Sequence, residues 1–174
     1  MRPGVANAVS VAVVGPGSCS AEEDRLAAEV GRRLAEAGAT VVTGGLGGVM
    51  AAACRGARSA GGVTLGLLPG ETRAGANPWV SVPVPTGLGE GRNVLVVRAA
   101  DALLAVGGEY GTLSEIALAL KLGRPVIGLA TWELRRPGAV RPDPGVRVAR
   151  DPEEAVRAAL AFASRGVAEG DATA

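Results

Sequence analysis

The sequence contains no histidine, and this absence restricts the available chemistry more than any motif does. Without imidazole the chain has no histidine general base, no histidine-containing catalytic triad and no copy of the commonest transition-metal ligand. Cys19 and Cys54 stand alone, with no C-x-x-C spacing, so we predict neither a metal site nor a disulfide framework. We interpret both as free thiols in a reducing cytoplasm.

Lysine is nearly as scarce, since Lys121 is the only one, and 18 basic residues against 17 acidic residues leave a formal charge of +1. The arginines are scattered, which argues against a basic surface for nucleic acid. No apolar run reaches the length of a membrane span, and Gly15-Pro16-Gly17 breaks the first run too early for a signal peptide. We therefore expect a cytoplasmic protein that binds neither nucleic acid nor membrane.

The chain has 174 residues, of which 48% are hydrophobic, and this suffices for one globular domain with a real core. We expect that domain to cover residues 1–164 and a flexible tail to cover residues 165–174. Apolar runs alternate with alanine-rich helical runs, and glycine, proline or a capping residue marks each changeover. This alternation predicts an α/β fold, a single doubly wound, mostly parallel Rossmann-like sheet with helices on both faces.

The predicted strands cover residues 8–14, 40–43, 63–68, 80–84, 102–106, 126–129 and 146–149. The predicted helices cover residues 21–37, 49–60, 92–99 and 113–122, and a last helix begins with Asp151 as its N-cap and Glu154 as the capping-box partner. Ser20 and Glu23 form the capping box of the first helix. The strand at residues 80–84 is bounded by prolines and is expected at an edge. Residues 71–78 are expected to form a mobile loop.

Three glycine-rich turns follow predicted strands, at residues 15–18, 44–48 and 107–112. Carboxyl ends of parallel strands meet at one edge of the sheet, so we expect the turns to line one crevice. Glycine lets the backbone close around a phosphate, and a helix N-terminus attracts anions. The alternative is purely geometric, because tight strand-to-helix turns need glycine. The predicted phosphate and ligand contacts in the turns are Gly17, Gly44, Gly45, Gly47, Gly48, Gly107, Gly108, Gly111 and Thr112.

These turns differ from the two common nucleotide motifs. G-x-x-x-x-G-K-[ST] is absent, and no G-x-G-x-x-G with an acidic residue about 20 positions on follows the first strand. Both findings disfavour a P-loop NTPase and a typical NAD enzyme. Lys121 lies near a helix end, where its charge suits the dipole, which disfavours a pyridoxal Schiff base.

Two motifs carry a resemblance to a known family. Residues 42–50, VTGGLGGVM, together with residues 107–115, GGEYGTLSE, resemble the paired motifs of the LOG-like superfamily, long mislabelled as lysine decarboxylases. Within it the chain is most similar to the branch that includes the molybdenum-cofactor carrier proteins. The resemblance implies a Rossmann-like homodimer or higher homo-oligomer that binds a phosphorylated small molecule, either the molybdenum cofactor (molybdopterin) or a nucleoside monophosphate. It implies no required cofactor and no lysine decarboxylase activity.

Enzymes of that superfamily are phosphoribohydrolases, which split a nucleoside 5′-monophosphate into free base and ribose 5-phosphate. Their signature P-G-G-x-G-T-x-x-E, with an upstream M-H-x-R-K, would assign catalytic roles to Glu115 and Arg92. A carboxylate can stabilise an oxocarbenium-like ribosyl centre or orient water, and an arginine can hold a phosphate. This chain departs from the signature, because Gly107 replaces the proline and Glu109 the second glycine, and residues 89–93 lack the Met, His and Lys.

Several of these residues have a second interpretation. Thr112 and Glu115 match a capping box at a helix start, in which case Glu115 has no catalytic role. Arg92 either contacts the ligand or only begins a helix. Tyr110, like Trp79 or Trp132 in the two long loops, either stacks on a ligand ring or packs in its loop.

The sequence therefore favours a binding protein of the carrier type, with Arg92 and Thr112 at the phosphate. The alternative is a nucleoside-monophosphate phosphoribohydrolase that uses Glu115 and Arg92. A third possibility is an oligomeric sensor domain whose ligand changes a partner contact.

Overall fold

The sheet is parallel throughout and has seven strands in the order β4-β3-β2-β1-β5-β6-β7. The computed structural model describes residues 9–170. The strands are β1 (Ser10–Val14), β2 (Thr40–Thr43), β3 (Thr64–Leu68), β4 (Val82–Pro85), β5 (Ala102–Val106), β6 (Val126–Leu129) and β7 (Val146–Ala149). The helices are α1 (Ala21–Glu36), α2 (Gly48–Ser59), α3 (Asn93–Arg98), α4 (Tyr110–Lys121) and α5 (Pro152–Gly170). The predicted doubly wound α/β fold is confirmed.

Helices cover both faces of the sheet, and the strands supply alternate residues to each. Val11 and Val13 of β1 lie in the core under α1, α2 and α5. Ala12 and Val14 lie in the second core, under α3 and α4. Because both faces of the central strands are buried, these strands are continuous apolar runs rather than alternating ones.

The strand order fixes where the glycine turns meet. The chain proceeds from β1 outward to β4, returns to the other side of β1 as β5, and continues to β7. The order therefore reverses between β1 and β5, and β2 is the other neighbour of β1. The three glycine turns follow these three adjacent strands. They converge at the carboxyl edge, the usual ligand position in open α/β sheets.

The N-terminal caps of α1 and α5 agree largely with the predicted ones. Ser20 Oγ accepts a hydrogen bond from the Glu23 N–H, and the Glu23 carboxylate accepts one from the Ser20 N–H, as predicted. Asp151 Oδ1 accepts from the Glu154 N–H, as expected of an N-cap. The second half of that box is wrong, because the Glu154 carboxylate accepts from the Arg150 N–H, one residue earlier, and pairs with its guanidinium.

The bounds of the last helix and of the edge strand differ from the predicted ones. Helix α5 extends to Gly170, into the range assigned to a tail, and residues 171–174 lie outside the described residues. The β4 strand lies at the sheet edge, as its prolines predict, and is shifted to Val82–Pro85. Among residues 9–170, no helix combines the length and apolar character that crossing a bilayer requires.

Small residues let α1 and α2 pack backbone against backbone. A Cβ on Gly31 of α1 would overlap the carbonyl oxygen of Ala53, and a Cβ on Gly56 of α2 would overlap that of Ala28. The small side chains of α2 thus serve its contact with α1 as well as its contact with the sheet.

We expect Gly56→Ala to destabilise the protein, although alanine is the better helix former. The added methyl must displace backbone, which costs roughly 1–3 kcal/mol by overpacking and exceeds the helix-propensity gain. Chemical denaturation measures the free energy of unfolding. Gly70→Ala is the matched control, because nothing lies within 4 Å of a Cβ there, and it should change stability by less than about 0.5 kcal/mol. Equal stability of the two variants would contradict the close approach of α1 and α2.

Candidate ligand-binding site

A cavity of about 650 Å³ opens at the carboxyl edge of the sheet, where the three glycine turns meet. Six residues that the sequence nominates line it, namely Gly17, Gly44, Arg92, Gly111, Thr112 and Glu115. Gly15, Pro16 and Leu46 also line it, and they belong to the turns that the sequence predicts at the crevice. Further lining residues, which the sequence did not nominate for the site, are Val14, Met50, Pro69, Gly89, Glu90, Gly91, Asn93, Val94, Ser114 and Leu118. Glu109 and Tyr110 complete the lining.

Five predicted contacts do not line the cavity, namely Gly45, Gly47, Gly48, Gly107 and Gly108. Gly45, Gly48 and Gly107 have positive φ angles of 74°, 58° and 64°. A side chain on Gly108 would come within 2.5 Å of Trp132 Nε1. A Cβ on Gly47 would lie 3.0 Å from the carbonyl oxygen of Gly17. The geometric interpretation therefore accounts for all five, and a direct contact with ligand stays a prediction for them.

Helix α4 begins earlier than the sequence predicts, at Tyr110 instead of Leu113. Gly107, at positive φ, turns the chain directly after β5, so that Glu109 becomes the N-cap and its carbonyl accepts from the Leu113 N–H at 3.0 Å. The Glu109 side chain makes no capping hydrogen bond. The N–H groups of Tyr110, Gly111 and Thr112 consequently have no acceptor within the helix. Free N–H groups of this kind at a helix N-terminus are suited to binding an anion.

The predicted capping box of Thr112 and Glu115 is wrong. Thr112 lies inside the first turn, where its side chain is 2% exposed and its hydroxyl has no hydrogen-bond partner among residues 9–170. Glu115 lies one turn further on, too deep in α4 to cap it, and its side chain faces the cavity. The capping interpretation of Glu115 is therefore excluded.

Arg92 ends a 3₁₀ turn, Gly89–Arg92, and carries its charge into the protein. The residue is only 8% exposed, and its guanidinium lies against Gly44, where a Cβ would be 2.5 Å from Nη2. Nη1 donates to Asn93 Oδ1 and lies 3.8 Å from Glu115 Oε1. Nε is buried and has no partner in the described part of the chain. Glycine at position 44 thus makes room for a buried cation at the cavity wall.

Glu115 is 6% exposed and is the buried acid beside this cation. Burial raises the pKa of its carboxyl to about 7, and the nearby Arg92 charge opposes that rise. Burial likewise lowers the pKa of Arg92, and Glu115 opposes that fall. Arginine stays charged, since its ordinary pKa lies far above neutrality. The cavity therefore contains a permanent cation and an acid that titrates near neutral pH.

The wall is completed by contacts that sequence reasoning missed. Asn93 Nδ2 donates to Ser114 Oγ at 3.3 Å and ties α3 to α4. Asn77 Nδ2 donates to the carbonyls of Gly45 and Leu46, at 3.2 and 2.9 Å, so the loop at residues 71–78 is bonded to the second glycine turn. An amide that satisfies two carbonyls of a distant turn leaves no local pattern in the sequence.

Two features of this site are decisive for its class. Buried polar atoms nearly always have partners, and Arg92 Nε and Thr112 Oγ1, on two residues that line the cavity, have none in the described part of the chain, which makes the cavity a candidate ligand site. The doubly wound parallel sheet places them beside the N-terminus of α4 at the point where strand order reverses. The protein is thus a Rossmann-like domain with its cavity at the switch point.

The family follows from comparison with known proteins. The model of the SLOG cluster4 family matches residues 8–156, and the chain belongs to that family. An uncharacterized protein of Archaeoglobus fulgidus is 42% identical over 148 residues, which cover 85% of this chain and 92% of the relative.

Solved structures of two proteins resemble the chain along almost its whole length. The molybdenum cofactor binding protein from the phototrophic bacterium Rippkaea orientalis is 31% identical with a TM-score of 0.81, covering 90% of this chain and 98% of that chain. The molybdenum cofactor carrier protein from Chlamydomonas reinhardtii is 32% identical with a TM-score of 0.76, covering 91% of this chain and 99% of that chain. The predicted resemblance to the carrier branch is confirmed.

The buried acid gives a test of the site's electrostatics. Because the pKa of Glu115 is about 7 in the folded protein and the ordinary pKa of a glutamate carboxyl is 4.5, the folded state binds more protons between these limits. Stability should therefore fall as pH rises through this window, and Glu115→Gln should remove that loss. We expect the difference between the two proteins to grow by on the order of 2–3 kcal/mol between about pH 5 and pH 8.

Denaturant unfolding at a series of pH values measures this difference. Glu109→Gln is the matched control, because it removes an exposed carboxylate from the same cavity mouth and should leave the pH profile close to that of the unaltered protein. Parallel profiles for the unaltered protein and Glu115→Gln would contradict the burial of the Glu115 carboxyl.

Proposed function

We propose that the protein binds a phosphorylated pterin or nucleotide-like ligand in this cavity and acts as a carrier of the molybdenum-cofactor type. The observation that carries the proposal is the pair of buried, unpartnered polar atoms, Arg92 Nε and Thr112 Oγ1, beside the N-terminus of α4. Homo-oligomerisation and a cytoplasmic location belong to the same proposal.

The phosphate is assigned to the start of α4. The N–H groups of Tyr110, Gly111 and Thr112 and the Thr112 hydroxyl donate to its oxygens, and the helix dipole favours its charge. Gly111 leaves this approach open, since nothing lies within 4 Å of a Cβ there. Arg92 adds a charge-assisted contact through its free Nε.

The rest of the ligand lies toward the first two glycine turns, where Gly17, Gly44 and Leu46 line the cavity. A volume of about 650 Å³ is in the range typical of small-molecule sites. The two similar solved structures are named for binding or carrying the molybdenum cofactor, which supports the same cargo here. The cofactor is cargo in this proposal, and the chain needs no cofactor of its own to bind it.

Gly111→Val tests the assignment directly. The valine side chain should fill the approach to the free N–H groups without disturbing the core, since the site of its Cβ is open. Molybdopterin at about 100 times Kd should stabilise the unaltered protein by roughly 2–3 kcal/mol, read as a rise in melting temperature, and should not stabilise Gly111→Val. Gly70→Val is the control, because its surroundings are equally open and it does not line the cavity.

Two results would oppose the proposal in different ways. An equal rise in melting temperature for Gly111→Val would place the phosphate elsewhere. No rise with molybdopterin or with AMP in the unaltered protein would remove the proposed function itself.

The phosphoribohydrolase remains the second candidate, and one observation favours it. Glu115 and Arg92 lie in the same cavity with Oε1 and Nη1 3.8 Å apart. In such a reaction the bond between the ribose C1′ and the base nitrogen breaks, water adds to C1′, and its proton leaves with the base. Ionised Glu115 would stabilise the positive ribosyl centre or orient the water, with Arg92 at the phosphate or ribose.

Incubation with AMP separates the two candidates. We expect binding without sustained release of adenine, measured by chromatography over many equivalents of protein. Sustained release that Glu115→Gln abolishes, while AMP still raises the melting temperature of that variant, would instead establish the hydrolase.

A further inference from the structure

Aromatic residues are rare in this chain, which has two tryptophans, one tyrosine and one phenylalanine. Two of them, Tyr110 and Trp132, lie next to each other at the start of α4. Tyr110, the first residue of α4, is 79% exposed and lines the cavity. The ring centroids of Tyr110 and Trp132 are 6.0 Å apart with an angle of 31° between the planes. An aromatic ring that is held at a cavity yet left largely in water suits contact with a ligand better than a role in the core.

Trp132 is itself held in place by a hydrogen bond and by packing. Its Nε1–H donates to the carbonyl of Glu109 at 3.4 Å, and it packs against the core under α3 and α4. Gly108 has no room for a side chain, because a Cβ would lie 2.5 Å from the same Nε1. The turn before α4 is thus shaped to accept Trp132, and Trp132 supports Tyr110.

The other two aromatic rings are engaged elsewhere. The Arg55 guanidinium lies 5.6 Å from the centroid of Trp79, and that of Arg147 lies 5.9 Å from the centroid of Phe162. Neither residue lines the cavity. Trp79 therefore does not cover the site, and Tyr110 presents the one aromatic surface among the cavity-lining residues.

We propose that Tyr110, supported by Trp132, stacks on a planar heteroaromatic ring of the ligand whose phosphate binds at the start of α4. This inference rests on the proposed function and adds to it the residue that recognises the flat heterocycle of the ligand. Tyr110 directly precedes Gly111 and Thr112, so ring and phosphate are read by adjacent residues. Stacking on Tyr110 strengthens the binding of any flat ring and adds nothing to the binding of a sugar phosphate, because a sugar has no π face.

The experiment compares ligands with and without a ring. Molybdopterin, AMP and ribose 5-phosphate are titrated by calorimetry into the unaltered protein, Tyr110→Ala and Tyr110→Phe. Tyr110→Ala should weaken the two ring-bearing ligands by about tenfold or more and leave ribose 5-phosphate within about twofold, while Tyr110→Phe should bind all three like the unaltered protein. In a Trp79→Phe background Trp132 is the only tryptophan, so its fluorescence should change with the ring-bearing ligands alone.

Each contrary result has its own meaning. Unaltered affinity of Tyr110→Ala for AMP and molybdopterin would remove the stacking role and leave the phosphate site intact. If Tyr110→Ala weakened the binding of all three ligands equally, Tyr110 would only shape the turn. If Tyr110→Ala changed the mass of the protein in light scattering but not its discrimination among the ligands, Tyr110 would be an interface residue. If the unaltered protein binds none of the three, the proposed function fails and the stacking role fails with it.

Discussion

The burial of Arg92 against Gly44 is the constraint on which the rest of the site depends. A guanidinium withdrawn from water needs compensation, and the protein supplies it only in part, through Asn93 Oδ1 and through Glu115 at 3.8 Å. Its Nε has no partner among residues 9–170. A buried cation with one donor unused favours an anion in the adjoining space. The glycine at position 44, the short 3₁₀ turn before α3 and the acid on α4 all follow from placing that cation there.

Arg92 and Glu115 also make the site sensitive to protons. An ionised Glu115 offsets part of the Arg92 charge and repels a phosphate, whereas the protonated acid does neither. Because the pKa of this carboxyl is about 7, both forms are present near neutral pH. Under the proposed function, binding of an anion and protonation of Glu115 would therefore favour each other, and this linkage would be reciprocal. Under the proposed function, the burial of Glu115 would make the affinity of the cavity for an anion depend on pH.

The sequence predicts the sheet well because its signals are local. The strand at Thr40–Thr43 and the capping box of Ser20 and Glu23 are each predicted from residues that are close in sequence, and both are found as predicted. The start of α4 was misplaced because Thr112 and Glu115 match a capping box by spacing, while the positive φ of Gly107 decides where the helix begins. Arg92 could be nominated from the resemblance, but its contact with Gly44 depends on tertiary packing. The contacts of Asn77 and Trp132 join segments far apart in the chain, and no period or motif encodes them.

Gly107 also bears on whether the site binds or turns over its ligand. The hydrolase signature has proline at this position, and proline fixes φ near about −65°. Here the residue has φ 64°, and a side chain would overlap the Glu23 carboxylate that caps α1. Proline therefore cannot occupy this turn, whose backbone must differ from that of the hydrolase motif directly before the proposed phosphate site. The turn thus excludes the proline of the signature, and the N-cap beside it carries Glu109 in place of the second glycine. These two departures from the hydrolase motif support the carrier rather than the hydrolase as the proposed function.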